Sequence, residues 1–279
     1  MRGGSAAHFA LPHRAPPPAD MSTKQQFVAI IPAAGRASRL SPLPCSKELY
    51  PIGIHANKDN PAHPKVVSHY LLDKFKRAGV EKVFFSLRKD KSDILDYFAD
   101  GAAFGVDIAY IVPYVPYGVP YTIDRAYQFV KNEIVALGFP DILFEPENAY
   151  ETLLARQKQR QADVVLGLFP ADRPDKCDMV ELNEDDTIKR IVVKPEKTSL
   201  TMVWGIAIWT PRFTQYLHNF LDSPEPKGTE KELQISDVIL AASRDGLHVD
   251  TIQVSQKPFI DIGTPEDLQR AIQQYFPRS

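Results

Sequence analysis

Arg39 and Lys47 stand just downstream of a small-residue turn, and together with that turn they suit a polyphosphate. The run begins at Phe27–Ile31, a short apolar stretch rich in β-branched residues, which reads as a strand buried on both faces of a parallel sheet. Ala33, Ala34 and Gly35 follow with almost no side chain, so their backbone N–H groups can approach an anion closely. Arg39 offers a fixed guanidinium fork matched to phosphate oxygens, and Lys47, within Ser46-Lys47-Glu48-Leu49, offers a point charge from a second direction. A triphosphate is the ligand these groups fit.

The same residues carry a resemblance. Gly35-Arg36-Ala37-Ser38-Arg39-Leu40-Ser41-Pro42-Leu43, followed by Ser46-Lys47-Glu48-Leu49, resembles the G-x-G-T-R-L-x-P-L-T signature, with its later P-K or S-K, of the sugar nucleotidyltransferases. The Ser-Lys form is similar to the glucose-1-phosphate thymidylyltransferases, and Ile31-Pro32-Ala33-Ala34-Gly35 to the bacterial UTP:glucose-1-phosphate uridylyltransferases. Ala37 replaces the second glycine and Ser38 the threonine; both are small, although Ala37 resists a positive φ.

The resemblance implies a transfer that needs Mg²⁺, an ion usually held by one or two carboxylates and phosphate oxygens. Asp141, in Gly138-Phe139-Pro140-Asp141, resembles the family's G-D-x-x-F metal aspartate, and Asp261, in Ile260-Asp261-Ile262-Gly263-Thr264, the second, from L-D-x-G-T. Lys194-Pro195 is similar to the E-K-P segment whose lysine meets the acceptor phosphate, with Gly205 downstream in the same acceptor-binding half. Gly118 keeps a glycine of the nucleotide-binding loop. By resemblance, then, Arg39, Lys47 and Lys194 are the catalytic set and Asp141 and Asp261 the metal ligands. The substrates implied are a nucleoside triphosphate, dTTP or UTP favoured, and a sugar 1-phosphate.

Departures fall where specificity is read. Pro113 stands where these enzymes carry a base-reading glutamine, Val193 where they carry a sugar-binding glutamate, and Asp178 where Y-G-V has glycine. Val193, Pro113 and the aromatic residues near Pro113 favour, as the alternative, a cytidylyltransferase for a non-sugar phosphate or phosphonate; a non-catalytic nucleotide-sugar-binding homologue is a third class. Tyr110, Tyr114, Tyr117 and Tyr121 either stack on a base or pack on the core, and Trp204 invites a cation–π contact to a quaternary ammonium acceptor. Glu232-Leu233-Gln234-Ile235-Ser236-Asp237 resembles the family's E-L-x-I-T-D and is assigned no chemistry. The histidines are scattered without an H-x-x-x-H pair or a serine partner, so protease and esterase chemistry has no support.

These groups need a scaffold. Apolar patterning predicts helices at 65–79, 92–98, 122–131, 147–160, 231–243 and 264–275, and strands at 82–87, 106–112, 134–137, 163–169, 203–209 and 249–254. The segments 179–182 and 188–193 flank a polar Asn183–Asp186 turn as a hairpin. Alternation of strand and helix implies an α/β fold: a doubly wound, mostly parallel, Rossmann-like sheet with the acceptor-binding half in the same domain and ligands beyond the carboxyl ends of the strands.

In bulk, 279 residues with 44% hydrophobic content build a sizeable core, and a net charge of -2 gives no global attraction to nucleic acid or an anionic membrane. Two cysteines cannot make a disulfide framework, which fits a reducing cytoplasm. Residues 1–26 read as a disordered leader or tag and 27–279 as one nucleotidyltransferase domain, with a homo-oligomer left open.

Overall fold

Val28–Ile31 is buried throughout, as a strand must be when it has neighbours on both edges and helices on both faces. A computed structural model of the chain describes residues 25–57, 60–113, 118–222 and 232–276. Positions 1–24 of the expected leader, Tyr114, Tyr117 and the expected helix start at Lys231 lie outside the described residues. Gln25 and Gln26 are already tied down: Ile134 N donates to Gln26 O at 3.0 Å, and Gln25 Nε2 to Asn132 O at 3.2 Å.

In chain order come β1 (Phe27–Ala33), β2 (Pro51–Asn57), β3 (Asn60–Val66), α1 (Val67–Arg77), β4 (Lys82–Leu87), α2 (Ser92–Phe98) and β5 (Asp107–Ile111). Next are α3 (Val119–Asp124), α4 (Tyr127–Val130), β6 (Ile134–Leu137), β7 (Ile142–Leu143), α5 (Ala149–Arg160) and β8 (Val164–Pro170). The chain continues through β9 (Asp178–Leu182), β10 (Ile188–Val193), β11 (Met202–Trp209) and α6 (Pro211–Asp222). It closes with α7 (Ile235–Arg244), β12 (Val249–Gln253), β13 (Ile260–Asp261) and α8 (Pro265–Tyr275).

Nine strands form one sheet, with β1 at its centre, parallel to β4 on one edge and to β6 on the other. β5 extends it parallel to β4, and β11 runs antiparallel to β6, β8 and β9. Only β11 and β10 oppose the other strands, so the α/β, mostly parallel expectation is met, and the expected hairpin is the antiparallel β9–β10 pair. Side chains alternate between faces: Ala29 and Ile31 join the core under α1, α2 and α5, whereas Val28 and Ile30 join the one under α3, α6 and α7.

That alternation breaks once in β11. Val203 and Ile206 share one face and Trp204 and Ala207 the other, because the ladder to β8 shifts register around Gly205. The expected 122–131 helix is two short ones, α3 and α4, interrupted at Arg125 and Ala126. Thr264 caps α8 as its sequence indicates, accepting from Asp267 N at 3.3 Å while its hydroxyl donates to Asp267 Oδ2 at 2.7 Å. No helix among the described residues is long and apolar enough to cross a membrane.

Candidate active site

Loops leaving the carboxyl ends of four neighbouring strands enclose a cleft of about 1020 Å³. Pro32, Ala34, Gly35 and Arg36 come from the end of β1, Arg88–Asp90 follow β4, Pro113 and Gly118 follow β5, and Phe139–Asp141 follow β6. Lys47, Glu48 and Glu232 complete much of the remaining wall. The chain turns back from β5 to β6 across β1, so this is the switch point at which open α/β sheets take ligands.

Lys47 forms an ion pair with Asp141 across the cleft floor. Burial works against the lysine's charge, but Asp141, with help from Glu48 and Asp261, outweighs it and raises the ammonium's pKa. Asp261 reaches the same place through two short strands. β13 pairs antiparallel with β7, Asp261 opposite Ile142, and Ile262 N donates to Asp141 O at 3.0 Å. Burial and the neighbouring Asp141 charge push the Asp261 carboxyl up to about 6, against the pull of Lys47 and Arg39. Its Oδ1 is buried without a hydrogen-bond partner. An orphaned carboxylate oxygen next to a second carboxylate is a hard-donor pair that fits a divalent cation such as Mg²⁺.

Lys47 is held in place from behind. Asp93 accepts from Ser46 N at 2.6 Å and from Ser46 Oγ at 2.7 Å, fixing the residue before it. Glu48, the residue after it, is buried and accepts from Lys91 Nζ at 2.6 Å. Burial raises the Glu48 pKa despite that partner. Lys91→Ala leaves a buried carboxylate unpaired, a change that costs about 3–5 kcal/mol. Urea unfolding at pH 7.5 is expected to report a loss of that size. The loss narrows as pH falls toward the raised Glu48 pKa, where the carboxyl takes up a proton; an unchanged midpoint would mean that the pair contributes nothing.

Of the other expected residues, Ala34, Gly35 and Gly118 line the cleft, whereas Arg39, Lys194 and Gly205 are not among its wall residues. Ala33, the last residue of β1, is buried beneath the turn, and Ala34 and Gly35 line the cleft. Arg39 is exposed and lies on the Asp261 side: a Cβ on Gly263 would stand 2.9 Å from Arg39 Nη2 and 3.0 Å from Asp261 Oδ1, so the glycine is what lets the guanidinium in. Ala37 takes φ +51, a left-handed conformation it tolerates at about 1–2 kcal/mol over glycine. Lys194 is exposed with φ +42, and its N–H donates to Cys177 O at 3.1 Å. The Cys177 thiol is pushed up to about 11, chiefly by burial, with Asp172 and Asp261 adding to it. Gly205 is buried at the β11 bulge, its missing Cβ leaving room for the rings of Phe259 and Phe169.

Three further readings meet the structure here. The Trp204 ring is buried, with Nε1 donating to Ser236 Oγ at 3.1 Å, so no face is open for a quaternary ammonium. Tyr110 packs on Phe85 and donates its hydroxyl to Ala99 O, the core alternative for that residue. Glu232, read without chemistry, lines the cleft, and a Cβ on Gly118 would stand 3.1 Å from its Oε1. Arg36 and Arg88 also line the cleft and were missed. The signal for Arg36 was its place between Gly35 and Arg39 in a phosphate turn.

The family model described as "Nucleotidyl transferase" matches residues 28–277. Among known proteins, a glucose-1-phosphate thymidylyltransferase of Xanthomonas campestris pv. campestris is 26% identical over 253 residues, 88% of this chain and 79% of that protein. The low-salt glycan biosynthesis nucleotidyltransferase Agl11 of Haloferax volcanii is 24% identical over 249 residues; the match spans 88% of this chain but only 64% of the relative. A UDP-glucose pyrophosphorylase structure from Acinetobacter baumannii superposes with a TM-score of 0.71 at 17% identity, covering 90% of this chain and 93% of the other. With the matched region running from β1 past the end of α8, this chain belongs to the nucleotidyl transferase family of enzymes.

Proposed function

We propose that this enzyme joins a nucleoside triphosphate to a sugar 1-phosphate with release of pyrophosphate. One observation carries the proposal: a cationic Lys47 and two carboxylates, one orphaned, converge where the phosphate turn meets the cleft. The names of the relatives, which include thymidylyl- and uridylyltransferases acting on glucose 1-phosphate, support dTTP or UTP and a sugar phosphate.

In this mechanism an acceptor phosphate oxygen attacks the α-phosphorus in line, and the bond from that phosphorus to the β-phosphate bridging oxygen breaks. Pyrophosphate carries the electron pair away. Backbone N–H groups of Ala34 and Gly35 and the Lys47 ammonium hold the triphosphate, Arg39 draws on the departing pyrophosphate, and Lys194 aligns the acceptor phosphate. No protein nucleophile is needed, since position and charge supply the rate. Asp141 and Asp261 would hold Mg²⁺, which when bound supplies charge neutralisation at the phosphates.

Pro113 favours a second possibility, a cytidylyltransferase acting on a non-sugar phosphate or phosphonate, because a prolyl group in the cleft wall has no donor with which to read a base. Stacking and backbone groups near Gly118 tolerate several bases. Pyrophosphate release measured for dTTP, UTP, CTP, ATP and GTP across a panel of phosphorylated acceptors tests both. dTTP or UTP is expected to be best, with weak discrimination among pyrimidines. A preference above about 10⁴ for one pyrimidine would require a hydrogen-bonding base site instead. A best rate with CTP and a non-sugar acceptor would favour the second possibility.

A further inference from the structure

His55 in β2 and His63 in β3 stand opposite each other in the antiparallel hairpin, with ring centroids 5.1 Å apart. α1 leaves β3 directly and carries His69 and Asp73 four residues apart, hence on one helix face. The His55 and His69 rings lie 5.3 Å apart, and one donor atom each from His55, His69 and Asp73 fall within 4.8 Å of one another. His69 is 6% exposed; its Nδ1 is buried with no hydrogen-bond partner, and its Nε2 is 3.4 Å from Asp73 Oδ1. Lys65 donates to the other Asp73 oxygen, an outer-shell contact of the kind that orients a ligating carboxylate.

We propose that His55, His69 and Asp73 bind a Zn²⁺ ion that clips the β2–β3 hairpin to α1, with His63 or water in the fourth position. Two imidazoles and one carboxylate suit zinc, whereas Mg²⁺ asks for six oxygens. Tetrahedral donors about 2.0–2.1 Å from the ion sit roughly 3.3 Å apart, so the most widely spaced pair must close by up to about 1.5 Å. His55 is half-buried on its strand, and its ring already lies against that of His69. The site is separate from the nucleotide cleft, none of whose wall residues it shares. It nevertheless adjoins the Lys47 segment through α1: Ser68 Oγ donates to Glu48 O at 2.7 Å, and Val67 N to Tyr50 O at 3.1 Å.

The test uses the full chain, stripped with EDTA and titrated with ZnCl₂ against a chromophoric chelator in excess Mg²⁺. One Zn²⁺ per chain is expected, with micromolar or tighter affinity and a raised melting temperature, and Co²⁺ should give the visible bands of a tetrahedral site. His55→Gln, at a half-buried strand position, should weaken zinc by more than the tenfold that loss of an outer-shell partner costs. His69→Gln tests the buried ligand where circular dichroism shows that it folds. Asp261→Asn should keep the zinc. The proposal fails if stripped protein takes up no zinc, if His55→Gln binds it as wild type does, or if Asp261→Asn abolishes binding.

Discussion

Asp261→Asn is expected to lower turnover by at least about 10²-fold while raising the melting temperature of the metal-free protein at pH 7.5. The two effects share one cause. In the folded chain the Asp261 carboxyl titrates near 6 rather than 3.8, because burial and Asp141 disfavour its charge. A group whose folded pKa is raised favours the folded state in its protonated form. That contribution is present below the unfolded value near 3.8 and is lost as pH climbs through about 6. At pH 7.5 the ionised side chain therefore works against the fold unless a cation offsets it. Asparagine removes the charge and with it the hard oxygen donor set, so stability rises and catalysis falls. Thermal melts from pH 4 to 8 should show the variant's advantage vanish toward pH 4. Mg²⁺ should raise the wild-type melting temperature more than the variant's. Near wild-type turnover of the folded variant at saturating Mg²⁺ would remove Asp261 from the mechanism.

Lys47→Ala should reduce kcat by on the order of 10² or more, the loss typical when a preorganised charge facing a developing anion is deleted. Its ion pair with Asp141 adds a second expectation. Without the ammonium, the two carboxylates face each other with only the Arg39 charge still opposing them, so the Asp261 pKa should climb further and the acid limb of the pH–rate profile should move to higher pH. Lys47→Arg keeps the charge and should hold the limb near its wild-type position even where kcat suffers. A variant in which only the nucleotide KM changes would make Lys47 a uniform binder rather than a group that works in the transition state.

Where a segment is apolar and crosses the core, the sequence specifies it closely. β4 and β6 begin and end where patterning puts them, since buried runs bounded by polar residues leave little choice of register, and α2 does so on the helical spacing of its two buried residues, Ile94 and Phe98. The β2–β3 hairpin escapes notice because Pro51, Pro61 and Pro64 interrupt any alternation, and so does the gathering of His55, His63 and His69, which depends on cross-strand pairing and helix phase together. The Lys47–Asp141 contact is legible only as two separate motifs; nothing local in either says that they touch. Glu232 enters the cleft from beyond β11 and α6, a distance in sequence that no local periodicity spans. Arg36 was visible as a residue but masked by the stronger signal of Arg39 beside it.

The pairing of β7 with β13 makes the Asp141–Asp261 juxtaposition a property of the folded chain and of neither segment alone. Asp141 precedes β7, and Asp261 sits in β13, the last strand in chain order among the described residues, so the two-stranded sheet that unites them joins segments far apart in sequence. A nascent or truncated chain that stops short of β13 retains the phosphate turn, Lys47 and the cleft walls that β1, β4, β5 and β6 support, yet has only one of the two carboxylates.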